Sequence, residues 1–543
     1  MASGRLTGGE AIVRGLLDHG VDTVFGLPGA QVYGLFDAFK RAEPKLRTIG
    51  ARHEQAVGYM AFGYARATGR PGVYAVVPGP GFLNSSAAFL TAAGSSTPVL
   101  CLAGQINVPL LGKERGALHE MRDQLGVMRS LGKWAERIEH PSAAPDLVAS
   151  AFRTMMSGRQ GPVGLETPWE TFTQVAPVSP EPPRPLAPKP EPDSDKIDEA
   201  AKALANAKCP MIFVGGGALH ASESITALCE ALQAPAVPCR SGKGVVDSRH
   251  PLGFSCASGA EVWGECDVAL AIGTRFELLD IRWGGRRPGQ KLIRIDIDPA
   301  EMRRLPADIG IVADSDDGAR ALLAALPTAG VDGEDRAQRL AEAKARTEVK
   351  IRKIQPQMAY LDVIRQVLPE DGYLVDEISQ IGFAAWFGFP VYRPRTFITA
   401  GSQGTLGSGF PTALGVKAAF PDKPVVSIAG DGGFMFGMQE LATAVQYGIN
   451  LVTVIFNNNA YGNVRRDQLQ HFGGRLIGSD LVNPDFVKLA DSFGVEGRRA
   501  TTPDELRRAL EAALAADAPG LIEVPIERGS EADPWEFLLP KFR

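Results

Sequence analysis

The sequence predicts an α/β protein of three doubly wound domains, each built on a mainly parallel sheet. Short apolar runs alternate with stretches of helical periodicity in three regions of the 543-residue chain. Such alternation is typical of parallel sheets that helices cover on both faces. A proline-rich segment and a polar, charged segment separate the regions. The length agrees with this division, because single hydrophobic cores rarely grow beyond about 250–300 residues.

The first region covers residues 1–176 and combines an amphipathic helix with buried strands. Three short β-prone runs, at residues 24–25, 73–77 and 99–102, alternate with helical stretches. We expect these strands to form one parallel sheet. Apolar residues at helical spacing predict the first helix, namely Ile12, Val13, Leu16 and Leu17.

A linker is predicted at residues 177–192, which read PVSPEPPRPLAPKPEP. Proline fixes φ and removes the amide donor, so this segment cannot form a helix or a central strand. The α/β alternation resumes in a second region, residues 193–328. Its β-prone runs lie at 211–214, 268–272 and 292–297.

The third region covers residues 357–543 and follows a polar, charged segment near residues 328–356. Two β-prone runs, residues 425–429 and 451–456, flank the helix-like stretch 438–447. This order of strand, helix and strand places the loops that follow both strands at one edge of a parallel sheet.

Composition and charge argue against several classes of function. Charged residues make up 22% of the chain and the formal net charge is −5, so no general attraction to nucleic acid or to an anionic membrane is expected. Six cysteines form no Cys-x-x-Cys pair and no cluster with histidine, which predicts neither a zinc site nor disulfides. No uninterrupted apolar run reaches the roughly 20 residues of a membrane span. We therefore expect a cytoplasmic protein.

The strongest chemical signal is Gly430-Asp431-Gly432-Gly433, which directly follows one apolar run, with Asn458 at the end of the next. The carboxyl ends of neighbouring parallel strands meet at one edge of a sheet, so both side chains should lie together. Oxygen ligands suit Mg²⁺, which keeps coordination positions for diphosphate oxygens. The glycines let backbone amides approach phosphate closely, whereas an isolated Gly-Asp-Gly would be an ordinary turn.

Residues 430–462, which read GDGGFMFGMQELATAVQYGINLVTVIFNNNAYG, resemble the diphosphate-binding signature of thiamine-diphosphate-dependent enzymes. This superfamily includes acetolactate synthases, 2-oxo-acid decarboxylases and benzaldehyde lyase. The resemblance implies thiamine diphosphate and Mg²⁺ as cofactors, with Asp431, Asn458 and the main-chain carbonyl of Ala460 as metal ligands. It also implies that the three domains are pyrimidine-binding, central and diphosphate-binding, in that order.

Glu54 lies in Arg52-His53-Glu54-Gln55, directly before a helical stretch. An isolated glutamate at that position would favour the helix dipole. The resemblance implies instead a catalytic glutamate, which hydrogen-bonds the aminopyrimidine of the cofactor and promotes loss of the thiazolium C2 proton. Because Glu54 and Asp431 fall in different domains, the resemblance further implies an active site between subunits. The expected assembly is a homodimer at least, with a homotetramer as the larger form.

Two further segments match cofactor-binding positions of the superfamily. The glycine-rich stretch with Gly404 and Leu406 corresponds to the segment that holds the aminopyrimidine and places an apolar side chain beneath the cofactor. Upstream, Ile378, Ser379 and Gln380 correspond to a loop at the diphosphate. Both segments read as plain loops by themselves, so these roles come from the resemblance.

The resemblance to acetolactate synthases weakens where the second substrate is selected. Those enzymes carry Phe-Gln-Glu where this chain has Leu118-His119-Glu120, and Pro-Lys where it has Pro168-Trp169. Their flavin segment is also missing, so FAD is not predicted.

The expected substrate pocket contains residues from the first domain. Gln31 aligns with the active-site histidine of benzaldehyde lyase and directly follows Gly29 and Ala30. His119 suits proton transfer, because the unperturbed pKa of histidine is about 6.5. The alternative for His119 is a surface or core residue on a loop.

Residues that follow the predicted metal-binding loop, residues 458–460, complete the expected substrate pocket. Asn463 takes the place of a methionine in acetolactate synthases. Arg465, together with Arg466, could bind a substrate carboxylate, or both side chains could face water.

Three functions remain open. The leading hypothesis is a decarboxylase or carboligase that acts on a small 2-oxo acid. The alternative is an acyl-CoA lyase or decarboxylase similar to oxalyl-CoA decarboxylase or 2-hydroxyacyl-CoA lyase, with a nucleotide held by four arginines of the central domain. A third is a catalytically silent subunit, against which the retained Glu54 argues. The four arginines are Arg275, Arg282, Arg286 and Arg287.

The carboxyl-terminal tail, residues 530–543, combines acidic residues with large apolar ones such as Trp535 and Phe537. It leaves the last predicted strand at the edge that carries the site. The tail is therefore either a lid over the pocket or a segment packed permanently on its own domain or on a partner subunit.

Overall fold

The structure, a computed structural model, describes residues 4–278, 282–327 and 334–540. The predicted end of the central domain at residue 328 and the last three residues of the tail lie outside the described residues. Three α/β domains with parallel sheets are present, which confirms the predicted fold class. In the described part of the chain, no helix is both long enough and apolar enough to cross a membrane.

The amino-terminal domain is built on a parallel sheet with helices on both sides. Its strands are β1 (Gly4–Thr7), β2 (Thr23–Gly26), β3 (Arg47–Gly50), β4 (Gly72–Val76), β5 (Val99–Gln105), β6 (Trp134–Arg137), β7 (Val163–Pro168) and β8 (Val175–Val178). Its helices are α1 (Gly8–Asp18), α2 (Tyr33–Arg41), α3 (Glu54–Thr68), α4 (Pro80–Gly94), α5 (Gln124–Leu131), α6 (Ala144–Met156) and α7 (Trp169–Thr173). The sheet has the order β3-β2-β4-β5-β7-β6.

Both faces of this sheet are buried. Val24 and Val73 point into one core, whereas their neighbours Phe25 and Tyr74 point into the other. Successive side chains of a strand alternate between faces, so a strand buried on both sides reads as a continuous apolar run. This explains why the short apolar runs in the sequence identified the strands.

The central domain repeats this architecture. Its strands are β9 (Met211–Val214), β10 (Ala236–Pro238), β11 (Val268–Ile272), β12 (Lys291–Asp296) and β13 (Ile309–Val312), in the order β10-β9-β11-β12-β13. Its helices are α8 (Ser194–Ala205), α9 (Ser222–Leu232), α10 (Cys256–Val262), α11 (Glu301–Arg304) and α12 (Ser315–Ala325). Helix α13 (Glu334–Ile351) follows and packs against α10.

The carboxyl-terminal domain carries the third parallel sheet. Its strands are β14 (Tyr373–Val375), β15 (Phe397–Ile398), β16 (Val425–Gly430), β17 (Val452–Asn457), β18 (Glu496–Arg499) and β19 (Gly520–Pro525), in the order β15-β14-β16-β17-β19-β18. Its helices are α14 (Gln357–Val367), α15 (Gln380–Gly388), α16 (Gly409–Ala419), α17 (Asp431–Phe434), α18 (Leu441–Tyr447), α19 (Gly462–His471), α20 (Phe486–Ser492), α21 (Pro503–Ala515) and α22 (Trp535–Leu538).

Two segments differ from the sequence-based expectation. Strand β8 runs two residues into the predicted linker and pairs with β1 in an antiparallel ribbon, so the linker proper begins at Ser179. Proline is tolerated there because a two-stranded ribbon has edges on both sides. The polar, charged segment near 328–356 is largely the helix α13, which belongs by its packing to the central domain.

The amino-terminal and carboxyl-terminal domains of one chain pack together through α3 and α16. The helices approach so closely that a Cβ atom on Gly63 would lie 2.1 Å from the carbonyl oxygen of Thr412. A Cβ atom on Gly415 would lie 1.9 Å from the carbonyl oxygen of Met60. Glycine at these two positions therefore permits backbone-to-backbone contact between the two domains.

Candidate active site

The carboxyl edge of the third sheet brings together the predicted diphosphate and metal residues. Asp431 follows β16, Asn458 and Ala460 follow β17, and Ser379 follows β14. These strands are neighbours in the sheet. The loops beyond them consequently meet at one place, as expected for the binding edge of an open α/β sheet.

Asp431 is a buried carboxylate, with 2% of the residue exposed. Burial raises the pKa of the Asp431 carboxyl, and a hydrogen bond from Asn483 Nδ2 to Asp431 Oδ2 at 2.6 Å acts in the opposite direction. Close to it, Asn458 Oδ1 accepts a hydrogen bond from the amide of Ala460 at 3.1 Å. Carboxylate, amide and main-chain carbonyl oxygens are the donors that Mg²⁺ accepts, so this set fits the predicted cation.

Hydrogen bonds on both sides of Ala460 hold the predicted metal-binding loop, residues 458–460. The amide of Tyr461 donates to the carbonyl of Ser479 at 2.9 Å, and the amide of Leu481 donates to the carbonyl of Asn459 at 2.9 Å. These bonds use groups of the neighbours of Ala460, so its own carbonyl is not part of this pairing. The turn is thereby rigid around the carbonyl predicted to bind the cation.

The glycines of the turn after β16 lie where side chains do not fit. A Cβ atom on Gly432 would lie 2.5 Å from the ring of Tyr461, and one on Gly433 would lie 2.7 Å from the carboxyl carbon of Glu377. Gly430 has Ser379 Cβ at 3.2 Å from the position of its missing Cβ. Glycine at these positions therefore lets the turn pack directly against Tyr461, Glu377 and Ser379, without a side chain of its own in the way.

The glycine-rich loop that contains Gly404 and Leu406 lies beside the loop of residues 378–380. Gly404 has a left-handed conformation, with φ of 58°, and Ile378 Cδ1 lies 3.9 Å from the position of its missing Cβ. Leu406, two residues further along, is half-buried, and so are Ile378 and Ser379. Gln380 is buried at the start of α15. The structure thus brings together the positions assigned to the aminopyrimidine and to the diphosphate.

Glu377 was not predicted and lies under this site. Its side chain is buried, and it accepts a hydrogen bond from the amide of Gly407. Burial raises the pKa of the Glu377 carboxyl to about 8, and the charge of Asp376 acts in the same direction. The sequence signal was a pair of acids directly after an apolar run, a pattern that marks a strand end.

In the amino-terminal domain, Glu54 is the first residue of α3 and is half-buried. Asn84 Nδ2 donates a hydrogen bond to Glu54 Oε2 at 3.0 Å. A Cβ atom on Gly81 would lie 3.5 Å from Glu54 Oε1, so the first turn of α4 borders the carboxylate closely. Asn84, also in α4, orients Glu54 within the same chain.

Gln31 and His119 meet at the edge of the same sheet. His119 Nδ1 lies 2.7 Å from Gln31 Oε1, and Gln31 Nε2 donates to the carbonyl of Leu118 at 2.7 Å. Gly29 and Ala30 form the half-buried turn that leads from β2 to Gln31. The structure therefore places the predicted proton-transfer histidine against Gln31, the other residue predicted for the reaction centre in this domain.

The two arginines after the metal loop have different partners. Arg465 Nε donates to Asp480 Oδ1 at 2.8 Å. Arg466 lies against Gln380 and the ring of Trp535, 5.8 Å from the ring centre. Of the proposed carboxylate-binding pair, Arg466 is thus the one that contacts a predicted cofactor residue.

Asn463 and the tail contact each other. Asn463 Oδ1 accepts hydrogen bonds from Trp535 Nε1 at 2.9 Å and from Arg466. The tail also places Glu531 beside Asn458, and burial together with the charge of Asp431 raises the pKa of Glu531. Neither this acid nor Asn483 carries a sequence motif, so both residues were missed.

The four arginines of the central domain do not converge. Arg275 lines a cavity of about 570 Å³ between the domains, together with residues such as Asp296 and Lys189. Arg286 pairs with Asp308. Of the remaining two, Arg282 Nη1 donates to the carbonyl of Leu538 at 3.3 Å, and Arg287 Nη1 donates to that of Gly264 at 2.6 Å. The expected nucleotide-binding cluster of four is therefore not formed.

Comparison with known proteins gives one assignment for all three domains. Residues 6–127 match the profile of the "Thiamine pyrophosphate enzyme, N-terminal TPP binding domain". Residues 197–322 match the central domain of the same enzymes, and residues 377–524 match their C-terminal TPP binding domain.

Whole-chain relatives agree with these domain matches. A probable 2-ketoarginine decarboxylase of Pseudomonas aeruginosa is 35% identical over 530 residues, which cover 96% of this chain and 94% of the relative. A probable acetolactate synthase large subunit of Methanocaldococcus jannaschii is 36% identical over 554 residues, at 96% and 92% coverage. The large subunit of acetolactate synthase isozyme 3 of Escherichia coli is 33% identical over 540 residues, at 94% and 92% coverage.

Proposed function

Because this chain belongs to the family of thiamine pyrophosphate enzymes, we propose that it cleaves or forms the carbon–carbon bond next to the carbonyl of a small 2-oxo acid, with Mg²⁺ binding the diphosphate of the cofactor. The observation that carries the proposal is the set of oxygen donors of Asp431, Asn458 and Ala460 beside a turn of glycines. A buried carboxylate such as Asp431 is costly to ionise without a positive partner. A divalent cation would supply that partner.

The amino-terminal domain would act on the other end of the cofactor. When bound, thiamine diphosphate supplies the carbon nucleophile that attacks the carbonyl of the substrate. Glu54 would hold the aminopyrimidine through a hydrogen bond. Asn84 already bonds Glu54 Oε2, so we assign Oε1 to the cofactor.

His119 would transfer the proton that ends the reaction. If Nδ1 donates to Gln31 Oε1, the neutral ring carries its lone pair on Nε2. A histidine held in one tautomer can accept a proton at Nε2 and return it at the same position. Both arginines pair with an acid, Arg465 with Asp480 at 2.8 Å and Arg466 with Asp533 of the tail at 3.6 Å. Arg466 is the better candidate for binding the substrate carboxylate, because it also contacts Gln380, a predicted cofactor residue.

Decarboxylation with protonation of the product is the reaction that these residues support best. The positions that select a second substrate in acetolactate synthases carry Leu118-His119-Glu120 and Pro168-Trp169 in this chain. Carboligation remains the second candidate, favoured by relatives that are named acetolactate synthases. Cleavage of a CoA thioester has less support, because the central arginines are dispersed.

Assembly and location complete the proposal. We assign a homodimer at least, and a homotetramer as the larger form, with Glu54 of one subunit facing Asp431 of another. The chain would act in the cytoplasm.

The test is a substrate panel with the purified protein, thiamine diphosphate and Mg²⁺. It contains small 2-oxo acids, each with and without an acceptor aldehyde, and 2-hydroxyacyl-CoA thioesters. Release of CO₂ with an aldehyde product would support the decarboxylase, and a coupled product would support the carboligase. The Glu54→Gln protein is the control. No turnover of any 2-oxo acid, with the cofactor bound, would contradict the proposal.

A further inference from the structure

The chain beyond β19 runs over the carboxyl edge of the third sheet. The amide of Ile526 donates to the carbonyl of Asn457 at 2.8 Å, which guides the chain along the end of β17. The next residues therefore pass directly over the metal loop, residues 458–460.

Two residues of the tail region, Arg528 and Glu531, form hydrogen bonds with this loop. Arg528 Nη2 donates to the carbonyl of Asn459 at 2.7 Å, and Arg528 Nε donates to the carbonyl of Asn458 at 3.3 Å. Glu531 Oε2 accepts a hydrogen bond from Asn458 Nδ2 at 2.6 Å. The tail thus contacts both the main chain and the side-chain amide of the residue predicted to bind the cation.

The bond to Glu531 decides which way the amide of Asn458 faces. An asparagine side chain has one end that accepts and one end that donates, and a carboxylate only accepts. Asn458 Nδ2 must therefore face Glu531, and Oδ1 faces the opposite side, where it lies 3.1 Å from the amide of Ala460. The reversed amide would set its oxygen against the carboxylate. Glu531 consequently directs the metal-binding oxygen of Asn458 toward the metal loop.

Docking of the tail does not require this bond. Trp535 Nε1 donates to Asn463 Oδ1 at 2.9 Å, and the amide of Ala532 donates to the carbonyl of Gln355 at 2.9 Å. Phe537 and Leu538 are buried, and the ring of Phe537 packs on that of Phe387 at 4.9 Å. The carboxylates of Glu531 and Asp431 repel each other, which destabilises the docked tail. A cation bound between the two loops would relieve this repulsion.

We propose that Glu531 is a positioning residue for the cation site, which holds the amide of Asn458 with its oxygen toward the metal and so couples docking of the tail to binding of Mg²⁺ and the cofactor. The inference rests on the proposed function, since it takes Asn458 as a ligand. Residues that hydrogen-bond metal ligands orient them and influence metal affinity. Because coupling is reciprocal, the cofactor must also stabilise the docked tail.

The first experiment measures binding of thiamine diphosphate to the apoprotein in the presence of Mg²⁺ by calorimetry. Glu531→Ala should weaken binding by about 10–100-fold. Glu531→Gln keeps an acceptor for Asn458 and should restore most of the affinity. Glu527→Gln, in an exposed acid four residues earlier, is the matched control and should bind like the wild type. Unchanged affinity in Glu531→Ala would overturn the inference.

The second experiment follows cleavage of the bond after Arg528 by trypsin. Thiamine diphosphate with Mg²⁺ should slow cleavage of the wild type, and this protection should be lost in Glu531→Ala at cofactor concentrations that saturate the wild type. Equal protection in both proteins would contradict the coupling. The proposed function has its own test in the same calorimetry. It is contradicted if Asp431→Ala binds the cofactor as tightly as the wild type does.

Discussion

Gln31 and His119, 88 residues apart in sequence, form a pair in which each side chain depends on the other. Both residues have a left-handed backbone, with φ of 68° and 64°. Such a conformation is unfavourable for residues other than glycine and persists only where the surroundings hold it. Here the side chain of Gln31 bonds both the ring of His119 and the carbonyl of Leu118. The pair therefore fixes the orientation of the imidazole.

Replacing Gln31 by glycine separates the roles of backbone and side chain. Gln31→Gly relieves the left-handed conformation, which offsets part of the cost of removing a buried side chain with two hydrogen bonds, so the melting temperature should fall less than in Gln31→Ala. The imidazole loses its partner, so kcat should fall by at least about 10-fold, with cofactor affinity unchanged. Thermal melting, calorimetry and steady-state kinetics measure the three quantities. Full activity in this variant would show that the pair has no part in proton transfer.

Replacing Glu54 by glutamine tests the proposed contact with the aminopyrimidine. Glu54→Gln keeps the size of the side chain and a hydrogen bond with Asn84, so fold and cofactor affinity should remain. Turnover should be nearly abolished, because an amide cannot carry the charge that drives deprotonation of the cofactor. Asn84→Ala is the companion variant and should reduce kcat less. The measurement is turnover at saturating cofactor, and substantial activity in Glu54→Gln would refute the assignment.

A mixing experiment tests whether the active site lies between subunits. Glu54→Gln and Asp431→Ala are each expected to be inactive. When both chains are expressed together, half of the dimers should be hybrids, and each hybrid should have one site with both native residues. Activity should then recover to about a quarter of the wild-type value. If both residues served one site within a single chain, every combination would stay inactive.

The buried carboxyl of Glu377 predicts a pH dependence of stability. Its pKa is raised from 4.5 to about 8, so the folded protein holds one more proton than the unfolded chain between those values. The stabilisation is complete below pH 4.5 and is lost as the pH rises through 8. The melting temperature of the apoprotein should thus fall by a few degrees over this range.

Glu377→Gln should flatten that dependence, because a glutamine cannot release a proton. Glu199→Gln, in an exposed acid of α8, is the matched control and should follow the wild type. Identical slopes for Glu377→Gln and the wild type would mean that the carboxyl titrates normally.

The architecture was predictable because a strand that is buried on both faces appears in the sequence as a short, continuous apolar run. Strands β9 and β11 coincide with the predicted runs 211–214 and 268–272. Helix α13 was missed as an element, because an exposed helix rich in charge has little apolar content to reveal it. Strand β8 was missed because it contains Pro177, which was read as the start of the proline-rich linker. Proline is excluded from central strands but is tolerated in an edge strand such as β8.

Within the site, sequence motifs identified the residues whose position is set by the strand directly before them. Asp431 and Asn458 stand at strand ends, which a short stretch of sequence reveals. Asn483 and Glu531 reach the same place from 52 and 73 residues further along the chain. The pairing of Arg465 with Asp480 is likewise tertiary, so no local pattern distinguished Arg465 from Arg466.

The backbones of α3 and α16 touch at Gly63 and Gly415, where even a methyl group would force the helices apart. The first and third domains of a chain are therefore joined by direct backbone contact at these two glycines. A substitution as small as Gly415→Ala would therefore displace α3, the helix that begins at Glu54, although the two residues lie far apart in the sequence.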